Sequence, residues 1–395
     1  MDNRLRVLQI IYSFDIEGSG GGVARFAIAL SHALDKDLFD VSICGLWDTG
    51  KETESLHLNE LNSLGVKAFT AASWDEKNPY LSLWKSYQGL RTSIKKSKVD
   101  IVHSHSEFSD IVSLMLKLYP GVPIIMRTLH NGYPIEWRKR FIRRVILSYI
   151  LYPLLFSKEI GVARHVVKNM DRRWLAKLSN HNAILIHNAI NIGKFAIIDH
   201  ISDKSKLGLA IPNDAVVVGT IGRLRIEKGY ETLLEAAAKV IQQTERSIKF
   251  IIIGTGELAE TLIKQAQKLN ISDNVIFTGP RTDIEFLLSG MDLFVSSSYW
   301  EGFSTSVLEA MAAGVPVLAT DIPGNRELVE PGINGWLVTS RNPDALAQEI
   351  IHRINTRIKI KQEIIEQGRK VAFSHSIESV AKQYQSLYES FNKKK

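Results

Sequence analysis

Residues 216–241, VVVGTIGRLRIEKGYETLLEAAAKVI, contain the pattern from which the fold is best predicted. Residues 216–221 form a largely β-branched run that is apolar on both faces, which is typical of a strand in a parallel sheet covered on both sides. A turn with two glycines follows, and residues 230–241 repeat apolar side chains at helical spacing. The stretch therefore predicts one strand–turn–helix unit of a doubly wound sheet.

The same alternation of apolar strands and helices runs along both halves of the 395-residue chain. It breaks near residues 191–212, so the sequence predicts an α/β protein with two doubly wound, Rossmann-like domains, residues 1–198 and 199–375. Ligands of such sheets bind beyond the carboxyl ends of the strands. We therefore expect the loops of the two domains to face a common cleft.

Composition excludes several classes of protein. Hydrophobic residues make up 45% of the chain and charged residues 23%, as in ordinary globular proteins. The single cysteine, Cys44, rules out a framework of intrachain disulfides and forms no zinc site by itself. No signal-like segment starts the chain, and the longest apolar stretch, residues 145–156, is shorter than the ~20 residues of a membrane span. We expect a protein of the cytoplasm or of the inner face of the plasma membrane.

The most informative motif lies in residues 298–316, SYWEGFSTSVLEAMAAGVP. A strand ends here and a helix begins near Thr305, so the backbone N–H groups of residues 303–306 are predicted to bind an anion. Glu301 lies in the turn and Glu309 about one turn into the helix, and their carboxylates suit sugar hydroxyls rather than phosphate. The alternative is that Glu301 caps the helix and Glu309 is a solvated helix residue.

Two cations, Arg223 and Lys228, follow the strand of residues 216–221, and each stands beside a glycine. A guanidinium fork and an ammonium group form a natural pair for a diphosphate leaving group. The position at a strand end favours this interpretation. A solvated basic loop is the alternative.

Glycines follow the first strand of the chain, in residues 18–25, GSGGGVAR. Their spacing does not match the G-x-G-x-x-G pattern of dinucleotide-binding proteins. Gly21 and Gly22 are therefore predicted to contact a phosphate or a sugar.

Histidines mark two later strand ends: His103 and His105 at one, and His130 beside Asn131 at the next. Three histidines without cysteine make a metal site the less favoured reading, and simple packing of one ring is another. A neutral imidazole suits a sugar hydroxyl near the reacting carbon.

Together these motifs resemble the large retaining glycosyltransferase family 4, whose members have the two-domain GT-B fold. The family's E-x7-E signature matches Glu301 and Glu309, and its Arg/Lys diphosphate pair matches Arg223 and Lys228. Residues 186–191, IHNAIN, are similar to the family's PNGVD element, with His and Ala in place of Pro and Gly. The resemblance covers almost the whole chain in the right order.

The first half adds two features to this resemblance. His130 matches the family's active-site histidine. Residues 12–15, YSFD, with Gly21 and Gly22 behind them, resemble the bacterial phosphatidylinositol mannosyltransferase branch. Surface-polysaccharide glycosyltransferases are similar as well.

The resemblance implies a retaining hexosyltransferase that needs no metal and no cofactor. Arg223 and Lys228 would stabilise the departing diphosphate, while Glu301 would contact the donor sugar and Glu309 the ribose. A C-terminal helix, residues 376–395, would cross back onto the first domain. The implied catalytic residues are His130, Glu301, Arg223 and Lys228. The implied donor-binding residues are Gly21, Gly22, Arg223, Lys228, Gly254, Pro280, Arg281, Gly302, Phe303, Ser304, Thr305, Ser306 and Glu309. The implied acceptor-side residues are Asp15, His103, His105 and Asn131.

The expected donor is a UDP-sugar, with UDP-glucose first. The expected acceptor is a glycan or lipid-linked molecule of bacterial surface polysaccharide synthesis. GDP-mannose is an open alternative donor. A GT-B sugar-nucleotide epimerase and a non-catalytic nucleotide-sugar-binding protein are alternative functions.

The net charge of +7 is concentrated in residues 127–177, which hold twelve Lys or Arg against three Asp or Glu. Within them, residues 136–156, EWRKRFIRRVILSYILYPLLF, mix cations with aromatic and aliphatic side chains. Such a helix is a candidate for peripheral contact with an anionic membrane. The alternative is a domain helix whose apolar side lies in the core. Nucleic acid is not an expected partner, because no recognition module accompanies the charge.

Overall fold

The structure is a computed structural model that describes residues 4–16, 21–119, 122–130, 141–195 and 200–392. The chain divides into two units, Met1–Ala189 with Ile377–Lys395, and Ile190–Ser376. The first division therefore lies at 189/190, whereas the sequence predicts it at 198/199, and the second lies at 376/377, one residue after the predicted 375/376.

The first unit is a parallel sheet covered by helices. Its elements in chain order are β1 (Leu5–Ile11), α1 (Gly21–Ala33), β2 (Phe39–Asp48), α2 (Glu52–Ser63), β3 (Lys67–Ser73), α3 (Pro79–Ser97), β4 (Ile101–Ser104), α4 (Glu107–Leu118), β5 (Ile124–Leu129), α5 (Phe141–Val145), a π-helical segment (Ile146–Leu151), α6 (Tyr152–Leu155), β6 (Lys158–Gly161), α7 (Arg164–Asp171), α8 (Trp174–Leu178) and β7 (Ile184–Leu185). Within the described ranges, the strand order is β3-β2-β1-β4-β5-β6-β7, and each neighbouring pair is parallel.

The second unit repeats this plan. Its elements are β8 (Val216–Ile221), α9 (Tyr230–Gln243), β9 (Ile248–Ile253), α10 (Ala259–Lys268), β10 (Val275–Gly279), α11 (Ile284–Ser289), β11 (Leu293–Ser296), α12 (Thr305–Ala312), β12 (Val317–Thr320), α13 (Pro323–Arg326), β13 (Trp336–Val338), α14 (Pro343–Ile354) and α15 (Ile358–Ser374). Its parallel strands follow the order β10-β9-β8-β11-β12-β13, which is that of a Rossmann sheet. The predicted pair of doubly wound parallel sheets is confirmed.

The last helix, α16 (Ile377–Asn392), belongs to the first unit, as the sequence predicts. Tyr384 and Tyr388, one turn apart, are fully buried in it. The ring of Tyr384 lies 6.0 Å from that of Phe26 on α1, and the ring of Tyr388 lies 5.9 Å from that of Phe39 on β2. The end of the chain thereby completes the core of the domain that begins it.

A buried ion network joins β5, β6 and the helices around them. Arg127 forms ion pairs with Asp110 at 2.8 Å and with Glu159 at 3.0 Å, and Arg173 also pairs with Glu159. All four side chains are less than a tenth exposed. Burial by itself would raise the pKa of Glu159, but Arg127 and Arg173 hold it below its ordinary value. Two cations of the basic segment therefore lie inside the domain, which composition alone does not reveal.

We predict that Glu159→Gln destabilises the protein by about 3 kcal/mol, because the buried Arg173 then loses its carboxylate partner and Arg127 keeps only that of Asp110. Urea unfolding monitored by circular dichroism measures this loss. The control is Lys67→Gln, which removes the exposed ion pair with Asp40 and is expected to cost less than about 1 kcal/mol. Equal losses for the two variants would contradict the structural role of the network.

Candidate active site

Three turns of the second unit approach each other so closely that they require glycine. Gly229 has a φ of +64°, and a Cβ there would lie 2.2 Å from the carbonyl oxygen of Ser297, just after β11. A Cβ at Gly254, just after β9, would lie 2.1 Å from the carbonyl oxygen of Gly222, just after β8. Side chains do not fit at such distances. The turns after β8, β9 and β11 therefore meet through bare backbone.

An ion pair joins two of these turns. Nζ of Lys228 lies 2.6 Å from Oε1 of Glu301, and Oγ of Ser298 donates a hydrogen bond of 2.7 Å to the same oxygen. The hydroxyl of Ser297 donates to the carbonyl oxygen of Lys228 at 2.9 Å. The lysine side chain is 22% exposed and the glutamate side chain 10%. The ammonium group is therefore held in a fixed position just beyond the carboxyl end of β8.

The start of α12 lies beside this pair. Ser304, the residue before its first turn, makes no capping hydrogen bond through its side chain. The N–H groups of residues 305–307 therefore face water or an anion, and the helix dipole adds partial positive charge there. Ser306 lines the same depression of the second unit as Lys228 and Tyr230. The structure thus brings the lysine and the helix start together, as an anion site requires.

The other predicted donor residues are distributed around these turns. Gly302 and Phe303 are buried in the turn before α12, and Thr305 is the first residue of that helix. Arg223 directly follows Gly222 and is half-buried. Glu309, also half-buried, lies in the second turn of α12.

Arg281 is held by a partner within its own loop. Its Nε and Nη2 donate to Oδ1 and Oδ2 of Asp283 at 2.8 and 2.6 Å. This hydrogen bonding raises the pKa of Arg281 and lowers that of Asp283. The neighbouring Pro280 is exposed. Contact between this guanidinium and the donor, which the family resemblance implies, would have to accommodate Asp283.

The predicted histidines of the first unit are linked by hydrogen bonds. His105 follows β4 and His130 follows β5, and Nδ1 of His105 lies 3.1 Å from Nε2 of His130. Nδ1 of His130 lies 2.9 Å from Oδ1 of Asn188. Nε2 of His105 lies 2.6 Å from Oε1 of Gln9 on β1. Both ring nitrogens of His130 are thus engaged within its own domain.

The same chain of hydrogen bonds continues to α16. Nε2 of Gln9 donates to Oη of Tyr388 at 3.0 Å, and this hydroxyl lies 2.7 Å from Nδ1 of His103. Nε2 of His103 lies 2.8 Å from Oγ1 of Thr128, which lies 3.0 Å from Oη of Tyr384. Among the residues that the structure describes, seven hydrogen bonds between buried side chains therefore connect Asn188 to Tyr384.

Burial keeps these imidazoles neutral. It lowers the pKa of His103 to about 3 and that of His130 to about 4. Burial also lowers the pKa of His105 well below its ordinary value, and the two neighbouring histidines add to this effect. Groups with such pKa values are weak bases near pH 7, although they donate and accept hydrogen bonds.

The structure describes only some of the remaining predicted residues of the donor and acceptor sides. Asp15 is buried and forms an ion pair of 2.7 Å with Lys51. Gly21 and Gly22 are the first residues of α1. Asn131, together with residues 17–20, 136–140 and 393–395, lies outside the described residues.

Sequence reasoning missed several members of the hydrogen-bonded chain. Gln9 is the polar residue in the apolar middle of β1, LRVLQII, and this oddity is the signal that marks it. Tyr384 and Tyr388 share one face of the last helix at i, i+4 spacing. Asn188 lies within the quoted IHNAIN element, without a role assigned to it. No local pattern connects these residues to the histidines.

Within the described residues, no group of three or more His, Cys, Asp or Glu side chains is arranged to hold a metal ion. No helix in the described part of the chain has both the length and the hydropathy needed to cross a bilayer.

Comparison with known proteins gives two family matches. The model described as Glycosyltransferase Family 4 matches residues 20–194, and the model described as Glycosyl transferases group 1 matches residues 202–371. Each match falls almost entirely within one of the two units.

Whole-length relatives are glycosyltransferases. The chain is 26% identical to UDP-Gal:alpha-D-GlcNAc-diphosphoundecaprenol alpha-1,3-galactosyltransferase of Escherichia coli, over 85% of this chain and 86% of the relative. It is 29% identical to D-inositol 3-phosphate glycosyltransferase of Corynebacterium glutamicum, over 94% of this chain and 92% of the relative.

Solved structures show the same fold. Anabaena HepE in complex with UDP and glucose matches with a TM-score of 0.79 and 20% identity, over 98% of this chain and 100% of that one. Sucrose-phosphate synthase from Thermosynechococcus elongatus matches with a TM-score of 0.81 and 21% identity, over 99% and 100%. The fold is GT-B, and with both family models matched in order the chain belongs to glycosyltransferase family 4.

Proposed function

We propose that this glycosyltransferase transfers a hexose from a UDP-sugar to a lipid-linked or polysaccharide acceptor, with retention of anomeric configuration and without a metal ion. One observation carries the donor half of the proposal: Lys228, paired with Glu301, lines the same depression of the second unit as Ser306 in the first turn of α12. A cation and a helix start together suit a diphosphate.

The opposite charges of Glu301 and Lys228 indicate which part of the donor each residue binds. Glu301 repels a phosphate but accepts hydrogen bonds from sugar hydroxyls, and its bond to Ser298 orients the carboxylate. Lys228 is positioned by that carboxylate and loses little freedom when it binds an anion. The diphosphate then lies between Lys228 and the N–H groups of α12, while the sugar lies on the side of Glu301.

The proposed chemistry follows from this arrangement. The bond between the anomeric carbon and the donor diphosphate breaks as negative charge develops on the leaving oxygen. Lys228 and Arg223 stabilise that charge, which is worth most in a partly buried site. The acceptor hydroxyl attacks from the face that the diphosphate leaves, and the departing phosphate oxygen takes its proton. Because the phosphate oxygen takes this proton, the buried, neutral histidines are not needed as the base.

The choice of UDP and of the acceptor rests on relatives. The Escherichia coli relative is named for UDP-Gal and for a diphosphoundecaprenol acceptor, and a Staphylococcus aureus relative, 30% identical over 44% of this chain, is named for poly(ribitol-phosphate). These names favour a UDP-hexose and a lipid-linked or polymeric acceptor. GDP-mannose is the alternative donor, and sugar-nucleotide epimerisation the alternative reaction.

The test is incubation of the full chain with UDP-glucose, UDP-galactose and GDP-mannose, with GlcNAc-diphospholipid as the acceptor probe, in the presence of EDTA. The proposal expects acceptor-dependent release of UDP and an axial product linkage by NMR. Release of GDP alone would show that GDP-mannose is the donor. Formation of an epimerised donor without transfer would show that the reaction is epimerisation, and loss of activity in EDTA would show that a metal ion is needed.

We predict that Lys228→Ala lowers kcat/KM by about 100-fold or more, because the leaving diphosphate loses its ammonium partner. Release of nucleotide during turnover is the measurement. The matched control is Lys239→Ala, which removes another lysine–carboxylate pair of the second unit, that with Asp344 on α14, and leaves kcat/KM within about twofold. Unchanged kcat/KM in Lys228→Ala would remove this lysine from the site.

We further propose that the described part of residues 136–156 contacts an anionic membrane. Ile146, Ile150 and Leu154 follow one another at four-residue spacing and are 44%, 37% and 53% exposed. Arg143 and Arg144 precede this apolar row and share Glu107 as a partner. These three charged residues together carry one net positive charge. An apolar row with cations at one end suits insertion at the headgroup level.

The membrane proposal predicts that the double variant Ile150→Glu, Leu154→Glu binds vesicles of phosphatidylcholine and phosphatidylglycerol at least about tenfold more weakly than the parent, because two charges enter the apolar row. Co-sedimentation is the measurement. Ile358→Glu, on α15 of the second unit and 75% exposed, is the matched control. Equal vesicle binding by the parent and the double variant would exclude this face.

A further inference from the structure

Arg341 has a backbone conformation that its place in the fold does not require. It lies in the short turn between β13 and α14 with a φ of +60°, in the left-handed region where a residue with a Cβ is strained. Within the described ranges, the other non-glycine residues with positive φ are Lys98, Asn180 and Asn270, and each lies just after a helix, at α3, α8 and α10. Helix ends commonly use this conformation. Arg341 precedes a helix, so that explanation does not apply to it.

The side chain of Arg341 lies on an aromatic ring of the candidate donor site. Its guanidinium carbon is 3.9 Å from the ring centroid of Tyr299, two residues before Glu301. The neighbouring Ser340 donates a hydrogen bond of 3.4 Å from its hydroxyl to the carbonyl oxygen of Ser298. The strained turn therefore holds the turn after β11 in two ways, through a cation–π contact and through a hydrogen bond.

Tyr299 in its turn joins the turn after β11 to the turn after β8. Its backbone N–H donates to the carbonyl oxygen of Glu227 at 2.8 Å, and its hydroxyl lies 2.6 Å from Oγ1 of Thr232 on α9. Its ring lies so close to Gly229 that a Cβ there would come within 2.7 Å of a ring carbon. A displacement of Tyr299 therefore moves the turn after β11 relative to Lys228.

Glycine at position 341 would remove the backbone strain and the contact with the ring together. Glycine reaches positive φ without steric cost, so the backbone alone favours it at this position. Arginine retains the strain and places a planar cation over the half-buried ring of Tyr299, where such contacts are stronger than at fully exposed rings. Strained backbone that is maintained by its surroundings is concentrated at functional sites.

We propose that Arg341 is a positioning residue of the donor site: its contact with Tyr299 holds the turn after β11 and thereby keeps Glu301 in its ion pair with Lys228. The ammonium group meets the leaving diphosphate only while this pair keeps its place, so a looser turn slows transfer. The effect on transfer rests on the proposed function, whereas the ordering of the turn does not.

The experiment compares two substitutions at strained positions, Arg341→Gly and Lys98→Gly. Each removes one exposed cation and one Cβ at positive φ, and Lys98, at the end of α3 in the first unit, is the matched control. Hydrogen exchange measured by mass spectrometry reports the order of Tyr299 and Trp300, whose backbone N–H groups both donate to Glu227. Thermal unfolding reports stability, and release of nucleotide reports turnover.

We expect both variants to unfold at the temperature of the parent or slightly above it, because backbone strain is relieved. In Arg341→Gly the amides of Tyr299 and Trp300 should exchange at least about twofold faster, and kcat should fall about two- to fivefold, the factor that one exposed cation–π contact contributes. The KM for the donor should change less than kcat. In Lys98→Gly the exchange of these amides and kcat should equal those of the parent.

A double-mutant comparison tests whether Arg341 acts through the ring. In a Tyr299→Leu background the partner of the guanidinium is absent, so Arg341→Gly should lower kcat no further. An additional loss equal to that in the parent background would show that Arg341 does not act through Tyr299 and would overturn the inference.

Three other results would overturn it as well: unaltered amide exchange and kcat in Arg341→Gly, a loss of kcat that accompanies a lowered unfolding temperature, or the same loss of kcat in Lys98→Gly. Absence of transferase activity in the parent would instead refute the proposed function. The exchange of the Tyr299 and Trp300 amides would then still decide whether Arg341 orders the turn.

Discussion

The close approach of three strand-end turns in the second unit is the constraint on which the candidate donor site depends. Gly229 and Gly254 lie so near the backbone of neighbouring turns that a Cβ would come within 2.2 Å of a carbonyl oxygen. Such approach is open only to glycine. It allows Lys228 and Glu301, which are 73 residues apart in sequence, to form their ion pair. Without this packing the cation would move freely in an exposed loop.

The two units supply different kinds of preorganisation. The second unit fixes charges: a lysine held by a carboxylate, next to the positive end of a helix. The first unit holds neutral polar groups in place, because its histidines are buried and linked by hydrogen bonds into one path that ends in the last helix. Both arrangements place polar groups at the carboxyl ends of parallel strands, where open α/β sheets bind their ligands.

Much of this architecture is predictable from the sequence because it is encoded locally. The stretch VVVGTIGRLRIEKG gives the strand, the glycine turn and both cations within fourteen residues, and the structure places each of them as the pattern predicts. The helix after Glu301 begins at Thr305, as expected from the turn at Gly302. Short-range chemistry decides such features, so a single sequence suffices for them.

The rest depends on contacts between residues that are distant in sequence. Tyr388 forms a hydrogen bond with Gln9, which is 379 positions away in the sequence, and no periodicity in either segment predicts this contact. Arg127 and Arg173 count toward a basic segment in composition, yet both lie inside the domain against Glu159. The family resemblance places Arg281 among the donor-binding residues, and the structure shows its guanidinium held by Asp283 two residues later. Burial and partner choice decide these cases, and a sequence pattern shows neither.

A crystal structure of the full chain with UDP tests directly whether Lys228 and the start of α12 hold the donor diphosphate. We predict diphosphate oxygens within about 3 Å of Nζ of Lys228 and of backbone N–H groups at the start of α12. We also predict that the carboxylate of Glu301 stays oriented by Ser298. A diphosphate bound elsewhere in the second unit, with neither Lys228 nor the α12 start in contact with it, would show that these groups do not form the donor site.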